Sequence, residues 1–242
     1  MWPFKKKNYY KMDYKADGFA TKKQAIGFMN STAFKEAWDI SSEFSKIGWP
    51  EGVPDIRWRT HVAIWAAQNA LRIEGDFVEC GVHTGILSLS ICEFLKFGEL
   101  KDRKFWLFDT WEGIPTSQLT ETEKEIAERY NSTIYKDDIY SPVEKKFSKF
   151  PNVRMVKGIL PDSFSKAQID KIAYLSVDLN NAAPEKAAIE YLWPKLSKGA
   201  LVVIDDYGWN EHQAQREMWD EFATSQNRFI LTLPTGQGLL MK

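Results

Sequence analysis

The sequence predicts a doubly wound α/β fold, on three observations. From Asp76 onward, short apolar runs alternate with helical stretches. The first five runs are DFVEC (76–80), KFWLFD (104–109), VRMVKG (153–158), IAYLSVD (172–178) and ALVVID (200–205). They are nearly continuous in apolar residues, as strands buried on both faces of a parallel sheet must be. Helical candidates at 85–97, 118–130, 142–149, 184–196 and 212–225 complete the alternation, which specifies βαβ units. Finally, RFILTL (228–233) and GLLMK (238–242) are joined only by PTGQ, too short for a crossover, so they predict an antiparallel hairpin at one end.

At 242 residues, 44% hydrophobic and 27% charged, the chain fits one large domain with a decorated end better than two domains. We divide it into an aromatic-rich helical extension or lid at 1–55 and the α/β domain at 56–242. In the extension, Phe34, Ala37, Trp38 and Phe44 predict a helix over 32–45 capped by Ser31 or Thr32. Pro54 and Asp55 start the next helix, with Ile56, Ala63, Ile64, Ala67 and Leu71 on one face and an end near Gly75. The Trp2, Phe4 and Lys5 to Lys7 cluster lacks the apolar run that makes a signal peptide, and no stretch nears the ~20 apolar residues of a membrane span. With 32 Lys and Arg against 33 Asp and Glu, no positive field draws the chain to nucleic acid. Two cysteines, Cys80 and Cys92, cannot build a disulfide framework and suit a reducing, cytoplasmic setting. A homo-oligomer is left open.

In such a sheet, ligands bind beyond the carboxyl ends of the strands. The first strand runs into Glu79-Cys80-Gly81-Val82-His83-Thr84-Gly85 and then an apolar helix. The glycines let backbone approach a ligand, and the helix start offers unpaired N–H groups. This is not the dinucleotide pattern GxGxxG, which disfavours a nicotinamide oxidoreductase. Asp109 ends the second strand, where an acid accepts both hydroxyls of a ribose or, alternatively, caps the turn. Glu79 and Asp109 together repel phosphates and favour a cationic nucleoside, so the expected cofactor is S-adenosylmethionine. Asp178 ends the fourth strand, and Asp205 and Asp206 end the fifth. Three carboxylates gathered there are costly unless neutralised, which points to Mg2+; the alternative is that Asp205 and Asp206 are solvated at a strand end, with Asp206 capping a turn at Tyr207-Gly208.

These segments resemble the metal-dependent class I methyltransferases related to macrocin O-methyltransferase. The resemblance rests on GDFVECGVHTG (75–85), FDTWEGIP (108–115), VKGILPDSF (156–164) and LSKGALVVIDDYG (196–208), and covers about 56–241. It implies a seven-stranded Rossmann-like sheet, mostly parallel, with the last strand inserted antiparallel beside the fifth. It implies cofactor binding by Glu79, Gly81, Thr84, Gly85 and Asp109, and magnesium binding by Asp178, Asp205 and Asp206. The activity implied is S-adenosylmethionine-dependent and magnesium-dependent O-methyl transfer to a sugar, a glycosylated natural product or a surface polysaccharide unit. Sugar-modifying members follow the fourth-strand acid with another acid and a tyrosine. This chain reads Asp178-Leu179-Asn180-Asn181, which leaves the acceptor open.

For the general base, His212 comes first because it follows the acids in DDYGWNEH, with Asp178 and His83 as alternatives. His61, on a helix with Trp58 and Trp65, reads as a packing residue. The 116–140 insert and the extension are candidate lids. Trp111, Tyr130, Tyr135, Tyr140, Tyr207 and Trp209 are candidate acceptor-lining residues. A catalytically silent cofactor-binding protein is the remaining alternative.

Overall fold

The computed structural model describes residues 12–24, 26–49, 51–117, 119–135 and 137–242, with the Thr122 side chain excepted. The basic, aromatic start of the chain lies outside them. Before the sheet come β1 (Tyr14–Ala16), β2 (Phe19–Thr21), α1 (Thr32–Ser45) and α2 (Arg57–Ala70). The α/β part then runs β3 (Asp76–Cys80), α3 (Ile86–Phe94), β4 (Phe105–Asp109), α4 (Glu121–Thr133), α5 (Tyr140–Phe147), β5 (Val153–Lys157) and β6 (Ile172–Val177). It closes with α6 (Ala182–Leu192), β7 (Leu196–Ile204), α7 (Gln213–Ser225), β8 (Leu231–Thr232) and β9 (Gly238–Met241).

Seven strands form one sheet in the order β5-β4-β3-β6-β7-β9-β8, parallel except for β9, which runs antiparallel to both β7 and β8. The period of two along each strand explains why both faces are buried. Phe77, Phe105, Leu107, Leu201 and Val203 face one core with α1, α2 and α3. Val78, Trp106, Phe108, Leu175 and Val202 face the other, where α6 and α7 pack. No helix among the described residues is long and apolar enough to cross a membrane, and both cysteines are buried and free.

The extension, expected to be helical, also carries a short hairpin. Asp17 and Gly18 both have positive φ, 51° and 74°, and turn β1 into β2 as a two-residue hairpin. An Asp-Gly pair between β-prone residues is a strong hairpin signal that aromatic content obscured. Tyr14, Met29 and Phe34 share a core with Phe77 and Leu107, so the extension is welded to the sheet. The helix at 32–45 forms as expected, with Ser31 Oγ accepting from the Phe34 N–H. The run at 228–233 shortens to two strand residues at the sheet edge, where Phe229 is 86% exposed.

Candidate functional site

Strand order reverses at β3, which has β4 on one side and β6 on the other, so a crevice opens at their carboxyl ends. The turns after β3 and β6 touch there. A Cβ placed on Gly81 (φ 85°) would fall 1.8 Å from the Asp178 carbonyl oxygen, so only glycine fits. Around this contact lies a cavity of about 360 Å³. It is lined by all the expected cofactor and acid residues except Gly85, which starts α3 from a left-handed conformation against Phe147.

At the β3 and β4 end, Asp109 holds the glycine turn together. Its Oδ2 accepts from the N–H groups of Val82 (2.6 Å) and His83 (2.8 Å), and its Oδ1 from the Trp111 N–H (2.6 Å). Three of its roughly four lone-pair directions are therefore spent on backbone, leaving about one for a ligand hydroxyl. Thr84 is fully buried, and its hydroxyl donates to Ser45 Oγ at 2.9 Å, tying α1 to the turn. Glu79 is buried with Oε2 lacking a hydrogen-bond partner among the described residues, and burial pushes its carboxyl well above the usual range, with Asp205 and Asp109 adding to the effect. Such an orphaned acceptor facing a cavity suits a ligand donor.

His83 sits at φ 50° with its ring edge-on between Trp49 (5.5 Å) and Tyr135 (4.9 Å), and Nε2 has no hydrogen-bond partner among the described residues. Burial pushes its pKa down to about 4, so it is neutral at physiological pH. An unfolded histidine titrates near 6.5, so between these values only the unfolded chain takes up the proton. The resulting stability is full above pH 6.5 and drains away as pH falls toward 4, about 2 kcal/mol of it by pH 5. Urea unfolding at pH 7.5 and 5 should show that extra loss in the wild type but not in His83→Gln. Equal losses in both would rule His83 out as its source.

At the β6 and β7 end, carboxylate oxygens of Asp178, Asp205 and Asp206 all lie within 4.8 Å of one another. Hard oxygen donors at this spacing fit a divalent cation. Burial and the two neighbouring acids push Asp178 well above its ordinary value; burial and Asp205 push Asp206 up. Asp205 Oδ1 accepts from Gln237 Nε2 (3.0 Å). His212 is buried, with Nε2 3.8 Å from Asp206 Oδ2, and is not among the cavity-lining residues: it stands behind the acid. Behind Asp178, the buried Glu185 accepts from the Leu179 N–H, Gln215 Nε2 and Trp219 Nε1, pinning the turn.

Of the candidate aromatics, Trp111, Tyr130 and Tyr135 line the cavity, while Tyr140, Tyr207 and Trp209 do not. Tyr207 donates instead to Asp220 Oδ1. His61 stacks on Phe28 at 3.8 Å, a packing role. Sequence reasoning missed Asp17, Trp49 and Arg59, which wall the cavity from the extension and α2. The Asp17-Gly18 turn was the available signal for the first; nothing local marks Arg59.

The family model described as Macrocin-O-methyltransferase (TylF) matches residues 59–230, well over half of the chain. The chain belongs to the macrocin-O-methyltransferase family. Among its relatives, this family member is 26% identical over 151 residues to the mycinamicin III 3''-O-methyltransferase of Micromonospora griseorubida, covering 58% of this chain and 59% of that one. It is 27% identical over 167 residues to the demethyldecarbamoylnovobiocin O-methyltransferase of Streptomyces niveus, covering 63% of each. The chain thus spans about three fifths of the length of these curated relatives. The solved O-methyltransferase NovP superposes with a TM-score of 0.67 at 22% identity, over 76% of this chain and 79% of that one, a likeness of fold.

Proposed function

We propose that this chain is an S-adenosylmethionine-dependent and magnesium-dependent O-methyltransferase acting on a hydroxyl of a sugar, a glycosylated natural product or a surface polysaccharide unit. The observation that carries the proposal is a single cavity with the glycine turn and Glu79 at one end and three clustered carboxylates at the other. The names of the family and of its curated relatives support the reaction and the acceptor class.

Asp178, Asp205 and Asp206 would hold the magnesium ion, which supplies Lewis-acid depression of the acceptor hydroxyl pKa. The buried carboxylate of Glu79 and the remaining acceptor site of Asp109 would receive the donor groups of the cofactor. Trp111, Tyr130 and Tyr135 line the cavity and would shield the reacting groups from water. For the acceptor proton, Asp178 is better placed than His212, because Asp178 is among the cavity-lining residues and His212, 3.8 Å from Asp206, is not. His212→Asn should therefore lower turnover by less than ~10², the lower end of a general-base contribution. A larger loss with intact cofactor affinity would return the proton to His212.

The reaction is tested by turnover on a panel of glycosides with S-adenosylmethionine, with magnesium or with chelator, alongside calorimetric titration with S-adenosylmethionine and NAD. Magnesium-dependent methyl transfer with no NAD binding is the expected result. Full turnover in chelator would overturn the metal assignment, and NAD binding without methyl transfer would favour an oxidoreductase.

A further inference from the structure

The carboxylate cluster already has a cation. Arg59, on the first turn of α2, is largely buried, and its Nη1 bridges Asp205 Oδ2 (2.5 Å) and Asp206 Oδ1 (3.1 Å). Its other donors face away from the sheet: Nε meets Asp17 Oδ2 at 2.8 Å and Nη2 meets Asp17 Oδ1 at 3.1 Å. The guanidinium lies 5.2 Å from the ring of Trp209. The same ring supports the hairpin tip, since a Cβ on Gly18 would fall 2.6 Å from Trp209 Cη2. One side chain thus joins the acids at the end of β7 to the tip of the β1–β2 hairpin.

We propose that Arg59 is the resident counter-ion of the carboxylate cluster, and that a divalent cation displaces it and thereby unlatches the hairpin tip. The inference rests on the metal reading above. Nη1 already holds one oxygen of each of two acids in the cluster, so a cation held by the same three acids would compete with it for them. Repulsion between guanidinium and cation acts in the same direction. Both oxygens of Asp17 are engaged by Arg59, so withdrawal of the guanidinium removes the cation that holds this acid at the cavity wall. The root of the hairpin stays in place, because Tyr14 is buried and its hydroxyl donates to the Asp55 carbonyl at 2.6 Å. Opening is therefore confined to the tip, and it uncovers the acid end of the cavity as the cation arrives. Arg59 is a positioning residue whose two states are acid-bound and released.

The test is hydrogen exchange across residues 13–21 of the full chain, with and without magnesium, paired with calorimetric magnesium titration. Magnesium should speed exchange at the hairpin about tenfold or more in the wild type, the factor that corresponds to ~1.4 kcal/mol of lost latch. Arg59→Gln should exchange at that fast rate with or without magnesium and bind magnesium more tightly than the wild type. Arg59→Lys, which keeps the charge but cannot serve both sides of the latch, covers the case that the glutamine variant fails to fold; it too should exchange fast without magnesium. Magnesium heat that Asp178→Asn abolishes, together with hairpin exchange that magnesium leaves unchanged, would overturn the latch alone. Absence of magnesium heat in both the wild type and Arg59→Lys would overturn the metal reading and the latch with it.

Discussion

Asp178→Asn is expected to lower magnesium-dependent turnover by ~10³ or more while raising the stability of the metal-free chain, two effects of opposite sign from one atom. Asp178 lies among Asp205, Asp206 and the buried Glu185, all of which oppose its ionisation, and Arg59 offsets only part of that repulsion. Replacing one oxygen by an amide removes the repulsion at nearly constant volume, so urea unfolding in chelator should show a gain of about 1 kcal/mol. In magnesium the same substitution removes a ligand, and the gain should shrink or reverse, because the wild type then receives binding energy that the variant does not. Cofactor affinity should change little, since the glycine turn and Asp109 are untouched. A variant that is less stable in chelator and fully active in magnesium would show that these carboxylates are a structural ion network and that the cation site lies elsewhere.

The second large effect is expected at Gly81, where substitution should damage both halves of the cavity together. Gly81→Ala imposes a positive φ on a residue with a Cβ, at a cost of roughly 1 kcal/mol. It also drives that Cβ to 1.8 Å from the Asp178 carbonyl oxygen, a backbone atom that no rotamer change can move. Relief requires separating the ends of β3 and β6, whose pairing runs from Phe77 with Tyr174 to Cys80 with Val177. The total loss should exceed ~3 kcal/mol, as overpacking of a rigid interior does at its upper end. Gly199→Ala is the internal control: its φ is also 85°, but the nearest atom to an added Cβ is 3.7 Å away. If chemical denaturation gave the two variants equal losses, backbone strain would account for both and the close approach would carry no energy.

The sheet was legible because each central strand must hide two faces, which leaves apolar runs such as FVEC, FWLF and LVVI that solvent-facing segments cannot sustain. The acids at 109, 178, 205 and 206 were legible for the complementary reason: each interrupts such a run at its carboxyl end. What escaped was long-range. Arg59 meets residues 146 and 147 positions away, and no periodicity within α2 distinguishes it from Arg57, which pairs locally with Asp55. For His212, closeness to Asp206 in sequence says nothing about which side of that acid it occupies; it ends the 3-10 turn Asn210–His212, 3.8 Å from Asp206 and outside the cavity lining. Asp109 showed its position but not its partners, since three backbone N–H groups converge on it only after the turns fold.

The insert helix α4 has a further consequence. Glu123 closes the capping box of α4 through its Oε2, which accepts from Thr120, while its Oε1 accepts from the Ala182 N–H at the start of α6. The segment that carries Tyr130 and Tyr135 is thus held by side-chain contacts, Glu123 to α6, Asn131 to Ile114 and Arg129 to Glu211, and lies outside every strand of the sheet. Asp17, at the tip of the β1–β2 hairpin, lines the same cavity from outside the seven-stranded sheet. Tyr130 and Tyr135 therefore line the cavity from a segment that supplies no strand, so substitutions there can remodel what the cavity admits while the carboxylates and the glycine turn stay unchanged.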